Sequence, residues 1–202
     1  MRKMRWAAFL IPLLLSATTH AGGMAVKAGY QFGVSDRSLH EIYACLEHFV
    51  PLIPNAGLRR QWLSGQASEF TNSDLLLYYE LLETDHLGVQ LGGGLRRHSK
   101  GLEINMDLPD SMSSIKDTFP LLFAHVYFMF SDRLGSYAQL EKGSGNHARF
   151  KHMEVGLSFA PLWGIELRAG YRQYQAESEG ALMLAVPDTS GFSLGLHATL
   201  GF

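Results

Sequence analysis

Polar and apolar residues alternate along most of the chain. In residues 24–34 the even-numbered positions are all apolar, whereas the odd-numbered ones include Lys27 and Gln31. A period of two residues is typical of β-strands whose two faces meet different surroundings. The alternation is clearest in 24–34, 87–96, 151–159, 165–172 and 192–202, and weaker in 42–49, 56–64, 74–82, 121–130 and 136–142. We therefore predict ten strands.

The connections between these segments fall into two kinds. Short, turn-like links are expected at 51–55, 83–85, 131–135 and 161–164, and long polar links at 65–73, 98–120 and 177–190, with 35–39 and 143–147 intermediate. An even number of strands with short turns at one end and longer loops at the other is typical of bacterial outer-membrane barrels. The pattern predicts an all-β, transmembrane, antiparallel up-and-down β-barrel of about ten strands, with eight strands as the alternative.

A soluble β-sandwich or lipocalin-like barrel has the same alternation. Two features favour the membrane barrel. The polar face carries mid-strand charges that a dry soluble core would not accept unpaired. Aromatic residues also lie near the predicted strand ends, as interfacial girdles require: Phe32, Trp62, Phe130, Phe159, Trp163, Tyr171, Phe192 and Phe202.

The composition agrees with this prediction. Of the 202 residues, 47% are hydrophobic and 18% are charged, below the roughly 25% charged residues of a typical soluble domain. The 21 glycines and 11% aromatic residues favour a β-rich protein over a helical bundle. A net charge of −2 with no basic arm gives no indication of nucleic-acid binding.

The first 21 residues have the pattern of a secretory signal peptide. Basic residues precede the apolar run 6–15, and Thr19-His20-Ala21 is a suitable cleavage site. A membrane-spanning helix is the alternative, but it needs about 20 apolar residues. We therefore expect a cleaved leader (1–21) and a barrel domain (22–202). Cys45, the one cysteine, is expected to be structural.

The inward face is predicted to carry a nearly balanced set of charges. Eight residues are expected to form a charge network in the lumen: Lys27, Arg59, Glu80, Arg96, Glu154, Glu166, Arg168 and Arg172. Glu47, Asp74 and Glu141 have the same parity. Balanced, paired charges favour a structural lattice that fills a narrow barrel, whereas a selective pore would have one sign in excess. We therefore expect a largely plugged lumen.

Three groups of residues could in principle carry other chemistries. A hydrolase would need a cluster such as His147 and His152 beside Ser144 and Glu154, but no nucleophile-elbow motif is present. Gly92-Gly93-Gly94 lacks the residues of a phosphate-binding loop and is expected to allow close backbone approach. The acidic residues of the 100–120 loop match no calcium-loop spacing, although bound divalent ions bridging to lipopolysaccharide are an alternative. We expect no enzymatic activity, cofactor or metal.

The C-terminal segment Leu194-x-Leu196-x-Ala198-x-Leu200-x-Phe202 resembles the assembly signal of outer-membrane proteins, with Phe202 as its terminal residue. Pro51-Leu52-Ile53-Pro54-Asn55, the run 74–82, Leu91-x-x-x-Leu95-Arg96-Arg97 and Gly170-Tyr171-Arg172 resemble a family of small outer-membrane β-barrel proteins of unassigned function.

The resemblance implies a fold and a location in the outer membrane. The expected partners are outer-membrane lipids and lipopolysaccharide, with the barrel-assembly machinery and periplasmic chaperones during biogenesis, and we expect a monomer. A structural envelope role is the first hypothesis for function, a narrow pore for small solutes the second, and a lipid- or peptide-modifying hydrolase the third.

Overall fold

The computed structural model describes residues 23–34, 38–48, 50, 52–64, 68–102, 114–145, 148–178 and 188–202. They form ten strands: β1 (Ala25–Val34), β2 (Ser38–Glu47), β3 (Asn55–Ser64), β4 (Ser68–Glu83), β5 (Leu87–Leu102), β6 (Ser114–Met129), β7 (Leu134–Ser144), β8 (Ala148–Leu162), β9 (Ile165–Ser178) and β10 (Thr189–Gly201). Each strand pairs with its sequence neighbours, and β1 also pairs with β10 in a closed barrel. All the pairings are antiparallel. The prediction of an up-and-down barrel with ten strands, rather than eight, is confirmed.

The two ends of the described chain complete the closure. Ala25 of β1 lies opposite Gly201 of β10. Beyond this pair, the Met24 N–H donates to the Phe202 carbonyl and the Phe202 N–H donates to the Met24 carbonyl, both at 2.9 Å. The terminal phenylalanine therefore contributes backbone hydrogen bonds to the seam, and the barrel has no open edge.

The two faces of the wall differ in the way that the alternation predicts. Outward side chains are largely apolar, and Leu58, Leu122 and Phe192 are each more than 60% exposed. The buried side chains inside include more polar and charged residues than apolar ones. Outward aromatic residues lie near both ends, with Phe130, Trp163 and Phe202 at the short turns and Trp62, Tyr171 and Phe192 toward the long loops.

The predicted strand limits were wrong at the long-loop end. β4 begins at Ser68 rather than 74, β5 continues to Leu102, β6 begins at Ser114 rather than 121, and β9 continues to Ser178. β2 likewise begins at Ser38, four residues before the predicted start. Outward positions in these extensions are polar, as at Thr71, Ser99 and Gln175, so the hydrogen-bonded ladder continues where the hydrophobic alternation has ended.

The short-turn end contains the local irregularities. Register shifts occur between Glu80 and Leu82 and between Phe159 and Leu162. The turn from β8 to β9 places Gly164 at φ 76°, a conformation that glycine adopts without a steric penalty. No helix in the described part of the chain is long and apolar enough to cross a membrane. The predicted leader, 1–21, lies outside the described residues.

Candidate functional site

Side chains pack across the barrel interior toward the long-loop end, and we call this part of the lumen the packed half. An apolar cluster packs there, close to the outer ends of six strands. We call it the apolar layer, and it consists of Leu39, Leu63, Phe70, Phe119, Leu121, Phe150, Tyr174 and Ala176. All of these side chains are buried. The layer therefore leaves little free space across this end of the lumen.

A buried ionic lattice lies beneath the apolar layer. It consists of Arg59, Asp74, Arg96 and Glu141, which come from four strands. Arg59 donates to Asp74 from Nε at 2.9 Å and from Nη2 at 2.7 Å, and it also forms a two-pronged contact with Glu141. Arg96 donates to the two oxygens of Asp74 at 2.7 Å each. Two guanidinium groups and two carboxylates thus cancel their formal charges across the barrel.

Polar side chains of β3 and β2 continue this lattice toward the long-loop end. Arg96 Nη2 donates to Gln61 at 3.1 Å, and Gln61 in turn donates to Glu41 at 2.7 Å. The guanidinium of Arg96 also lies 3.8 Å from the centre of the Phe150 ring, a favourable cation–π distance. The contact between Arg96 and Phe150 joins the ionic lattice directly to the apolar layer.

A second buried carboxylate, Glu154, lies beside the lattice. Its Oε1 accepts hydrogen bonds from Tyr137 Oη at 2.7 Å, from Ser193 Oγ at 2.8 Å and from Gln31. Its Oε2 faces Arg172, whose Nε is 3.6 Å away. Arg172 is 2% exposed, and its guanidinium makes no hydrogen bond within the described residues. Arg172 is therefore held by charge rather than by directed bonds.

His152 lies between the carboxylates of Glu141 and Glu154. Its Nδ1 is 3.6 Å from Glu141 Oε2, and its Nε2 is 3.9 Å from Glu154 Oε2. Both distances are too long for a direct hydrogen bond. A polar gap of this kind is suited to bridging water.

The other half of the lumen is an open cavity, which we call the vestibule. It has a volume of about 730 Å³, and its lining includes Gly23, Met24, Trp163 and Phe202 at the short-turn end. Among the described residues, the ionic lattice and the apolar layer lie beyond the vestibule, toward the long loops.

The charges of the vestibule are largely paired. Lys27 Nζ lies 2.5 Å from Glu47, and Arg168 Nε lies 2.8 Å from Glu166. Glu80 accepts a hydrogen bond from Gln90 at 2.9 Å. These groups are partly exposed to the cavity, so breaking one of these pairs costs less stability than breaking a pair of the buried lattice.

Tyrosine rings lie over inward glycines around the vestibule. A Cβ at Gly29 would lie 2.4 Å from the Tyr43 ring, and one at Gly88 would lie 2.0 Å from the Tyr127 ring. The Tyr137 ring covers Gly156 in the same way. Because glycine has no side chain, a tyrosine ring from the neighbouring strand can lie flat over it, close to the barrel wall. This packing keeps the centre of the vestibule open.

The structure places all eight predicted network residues on the inward face, but in two groups. Arg59, Arg96, Glu154 and Arg172 are buried in the packed half, where Arg59 also borders the vestibule, and Lys27, Glu80, Glu166 and Arg168 line the vestibule. The sequence interpretation missed Glu41, which is buried and bonded to Gln61. Glu41 has the same parity as Glu47, so a β2 prediction that began earlier would have included it.

The proposed hydrolytic cluster is not assembled within the described residues. Ser144 is exposed, whereas His152 is buried within the lumen. Their positions in the strands place the two side chains on opposite faces of the barrel wall. His147 lies outside the described residues. Ser144 and His152 could therefore not act together in the disfavoured hydrolase alternative, which grouped residues by closeness in sequence rather than by strand parity.

The structure also places the glycine run 92–94 and one of the acidic residues of the 100–120 segment. Gly92 and Gly94 lie inside β5, where a Cβ would come within 2.5 Å and 2.0 Å of backbone carbonyls of β4, which agrees with the expected close approach. Of the loop acids, Glu103, Asp107 and Asp110 lie outside the described residues, and Asp117 belongs to β6. No group of three or more His, Cys, Asp or Glu side chains in the described ranges could hold a metal ion.

Comparison with known proteins finds likeness in structure but not in sequence. No protein-family model matches the chain, and no curated protein matches it in sequence. The structure is similar to the KdgM porin (TM-score 0.43, 10% identity, 85% of this chain and 98% of that one). It is also similar to the NanC porin (0.44, 11%, 88% and 100%) and to an outer-membrane channel from Pseudomonas putida F1 (0.47, 12%, 92% and 97%). The comparisons assign no function to this chain.

Proposed function

We propose that the protein is an integral outer-membrane β-barrel with a non-enzymatic, structural role in the envelope and a lumen closed to solutes. The observation that carries the proposal is the packed half of the lumen, on the long-loop side, where the lattice of Arg59, Asp74, Arg96 and Glu141 lies against the apolar layer. A closed barrel satisfies its backbone hydrogen bonds internally, and its outward apolar surface suits a lipid environment. The outward aromatic residues near both ends suit the two membrane interfaces.

Insertion into a membrane is tested by heat-modifiable migration. The protein is purified from the outer-membrane fraction and run on a denaturing gel with and without heating. A folded barrel resists the detergent until it is heated, so two bands of different mobility are expected. A protein that is recovered from the soluble fraction and migrates identically in both samples would contradict the proposed membrane location.

Closure of the lumen is tested by conductance in planar lipid bilayers. The wild-type barrel is expected to give no reproducible conductance steps. The positive control is a variant with alanine at Phe150 and at all four lattice positions. It shortens side chains that cross the lumen and leaves no unpaired lattice charge, so it is expected to conduct. Regular steps from the wild type would overturn the closed-lumen proposal.

A narrow pore for small solutes is the second candidate, and the vestibule is the observation that favours it. A cavity of about 730 Å³ already occupies the short-turn half of the lumen. A pore would require the lattice to rearrange, and conducted ions would pass Arg168 in the vestibule. This candidate predicts conductance steps whose ion selectivity changes when Arg168→Gln removes a positive charge. Unchanged selectivity would count against a path through the vestibule.

A further inference from the structure

Charged side chains on the outward face of the barrel are sorted by sign. Among strand residues whose side chains the structure describes, those that are charged and face outward are all basic: Arg60, Arg97, Lys142, Arg149 and Lys151. All five are exposed. A surface whose charges serve solubility alone mixes both signs, so an outward face with basic residues only needs another explanation.

These basic residues also share one end of the barrel. Lys142 is two residues from the end of β7, and Lys151 is three residues after the start of β8. Arg60 and Arg97 lie four and five residues before the ends of β3 and β5. All these strand ends lie at the same end of the barrel as the long links 103–113 and 179–188. The basic residues therefore form a partial belt at the long-loop border of the apolar outer surface.

Lys142 and Lys151 are directly opposite each other in the register of β7 and β8. Like charges in directly opposed cross-strand positions are destabilising. Neither lysine has a carboxylate partner within the described residues. The next outward pair toward the short turns, Leu140 and Met153, is apolar and exposed. The two ammonium groups thus lie at the edge of the apolar surface, and an anion between them would relieve their repulsion.

A second basic site lies on β3, β4 and β5. Ser73 pairs with Arg60 on one side and with Arg97 on the other, so a hydroxyl lies between two guanidinium-bearing residues on the outward face. The guanidinium of Arg60 is 5.3 Å from the centre of the Trp62 ring, which orients it along the surface. Guanidinium groups bind phosphate through paired hydrogen bonds, and a hydroxyl adds a further donor.

We propose that these two sites bind phosphate groups of lipids in the outer leaflet of the membrane. Lys142 with Lys151 forms one site, and Arg60, Ser73 and Arg97 form the other. The proposal rests on the proposed insertion of the barrel in the outer membrane, since a lipid headgroup reaches both sites only when the apolar surface below them is in lipid. The proposal also predicts that the long-loop end of the barrel lies at the outer leaflet of the membrane.

The test is a titration of the purified barrel in neutral detergent with lipid A, followed by native mass spectrometry. Wild type is compared with two double variants, Lys142→Gln/Lys151→Gln and Arg60→Gln/Arg97→Gln. Arg133→Gln is the matched control, because it removes one exposed basic residue from a short turn. Removal of each basic group is expected to weaken binding by roughly 5-fold, so each double variant should lose more than tenfold at its site. The control should bind as the wild type does.

Two further measurements identify the ligand group. Lipid A without its phosphates is expected to bind at least tenfold more weakly, and inorganic phosphate should not displace the lipid at equal concentration. Equal binding of the dephosphorylated lipid, displacement by inorganic phosphate, or wild-type affinity in both double variants would each overturn the proposal. Heat-modifiable migration in neutral phosphatidylcholine should be the same for all proteins. Loss of that shift would instead contradict the proposed membrane barrel.

Discussion

At the scale of single residues, Asp74 is the centre of the packed half of the lumen. Its carboxylate accepts hydrogen bonds from both Arg59 and Arg96, and its side chain is fully buried. The net contribution of such a lattice is small, because pairing must first offset the cost of removing charges from water. Removing one member is costly, because the remaining charges stay buried without compensation.

Asp74→Asn is therefore expected to lower the free energy of unfolding by about 3–5 kcal/mol, since it leaves two buried guanidinium groups facing one carboxylate. The measurement is urea unfolding of the barrel in lipid vesicles. Glu166→Gln is the matched control, because it neutralises a carboxylate whose partner, Arg168, faces the open vestibule. That change should cost less than about 1 kcal/mol. Equal losses in the two variants would contradict the distinction between the buried lattice and the vestibule.

At the same scale, the sequence was sufficient to place side chains on a face but not to pair them. Alternation put Arg59, Arg96 and Glu154 in the lumen because each strand has one polar face. It could not predict that Arg59 reaches Glu141, 82 positions away in sequence, since that contact depends on strand tilt across the barrel. Nor could the alternation separate the buried charges from the vestibule charges, because it does not tell how far along the barrel axis a residue lies.

At the scale of the strands, the alternation located each element but not its outer limit. The apolar outward positions mark only the part of a strand that lies in the apolar belt. β4, β5 and β6 continue beyond that belt, where their outward residues are largely polar, and their outer ends were predicted as loops. The ladder of backbone hydrogen bonds is satisfied without help from side-chain hydrophobicity, so composition gives no indication of where it stops.

Neighbouring strands also pack closely where a tyrosine ring of one lies over an inward glycine of another. Gly156 of β8 shows how close the fit is, since a Cβ there would lie 2.5 Å from the Ala169 carbonyl oxygen and 2.8 Å from the Tyr137 ring. The backbone of β9 cannot move away without disturbing the ladder that pairs β8 with β9. A small substitution at this position therefore strains two strands at once.

Gly156→Ala is expected to destabilise the barrel by about 1–3 kcal/mol through overpacking. Gly201→Ala serves as the control, because a Cβ at Gly201 would meet no atom within 4 Å, and it should change stability by less than about 0.5 kcal/mol. Thermal unfolding, followed by the heat-modifiable gel shift, compares the two variants. A wild-type transition for Gly156→Ala would show that the wall accommodates the added carbon and would contradict the close packing.

At the scale of the whole molecule, the interior has three parts along the barrel axis: the apolar layer, the ionic lattice and the vestibule. The near balance of inward charges predicted a plugged lumen, whereas the structure packs side chains across one half and leaves a cavity in the other. Bulky inward residues such as Phe119 and Phe150 pack together near the long loops. Near the short turns, inward glycines such as Gly29 and Gly88 let tyrosine rings lie close to the wall. Whole-chain charge counting averages over both halves.

The central claim is that the lumen opens only at the short-turn end, and Cys45 tests it most directly. This cysteine lines the vestibule. The barrel is reconstituted in lipid vesicles and treated with a small, membrane-impermeant thiol reagent. A second protein, Arg133→Cys with Cys45→Ser, reports the fraction of barrels whose short turns face the reagent. Cys45 is expected to be labelled to that same fraction and to react fully only after detergent is added. Labelling of Cys45 beyond that fraction in intact vesicles would show passage through the lumen and would contradict the account.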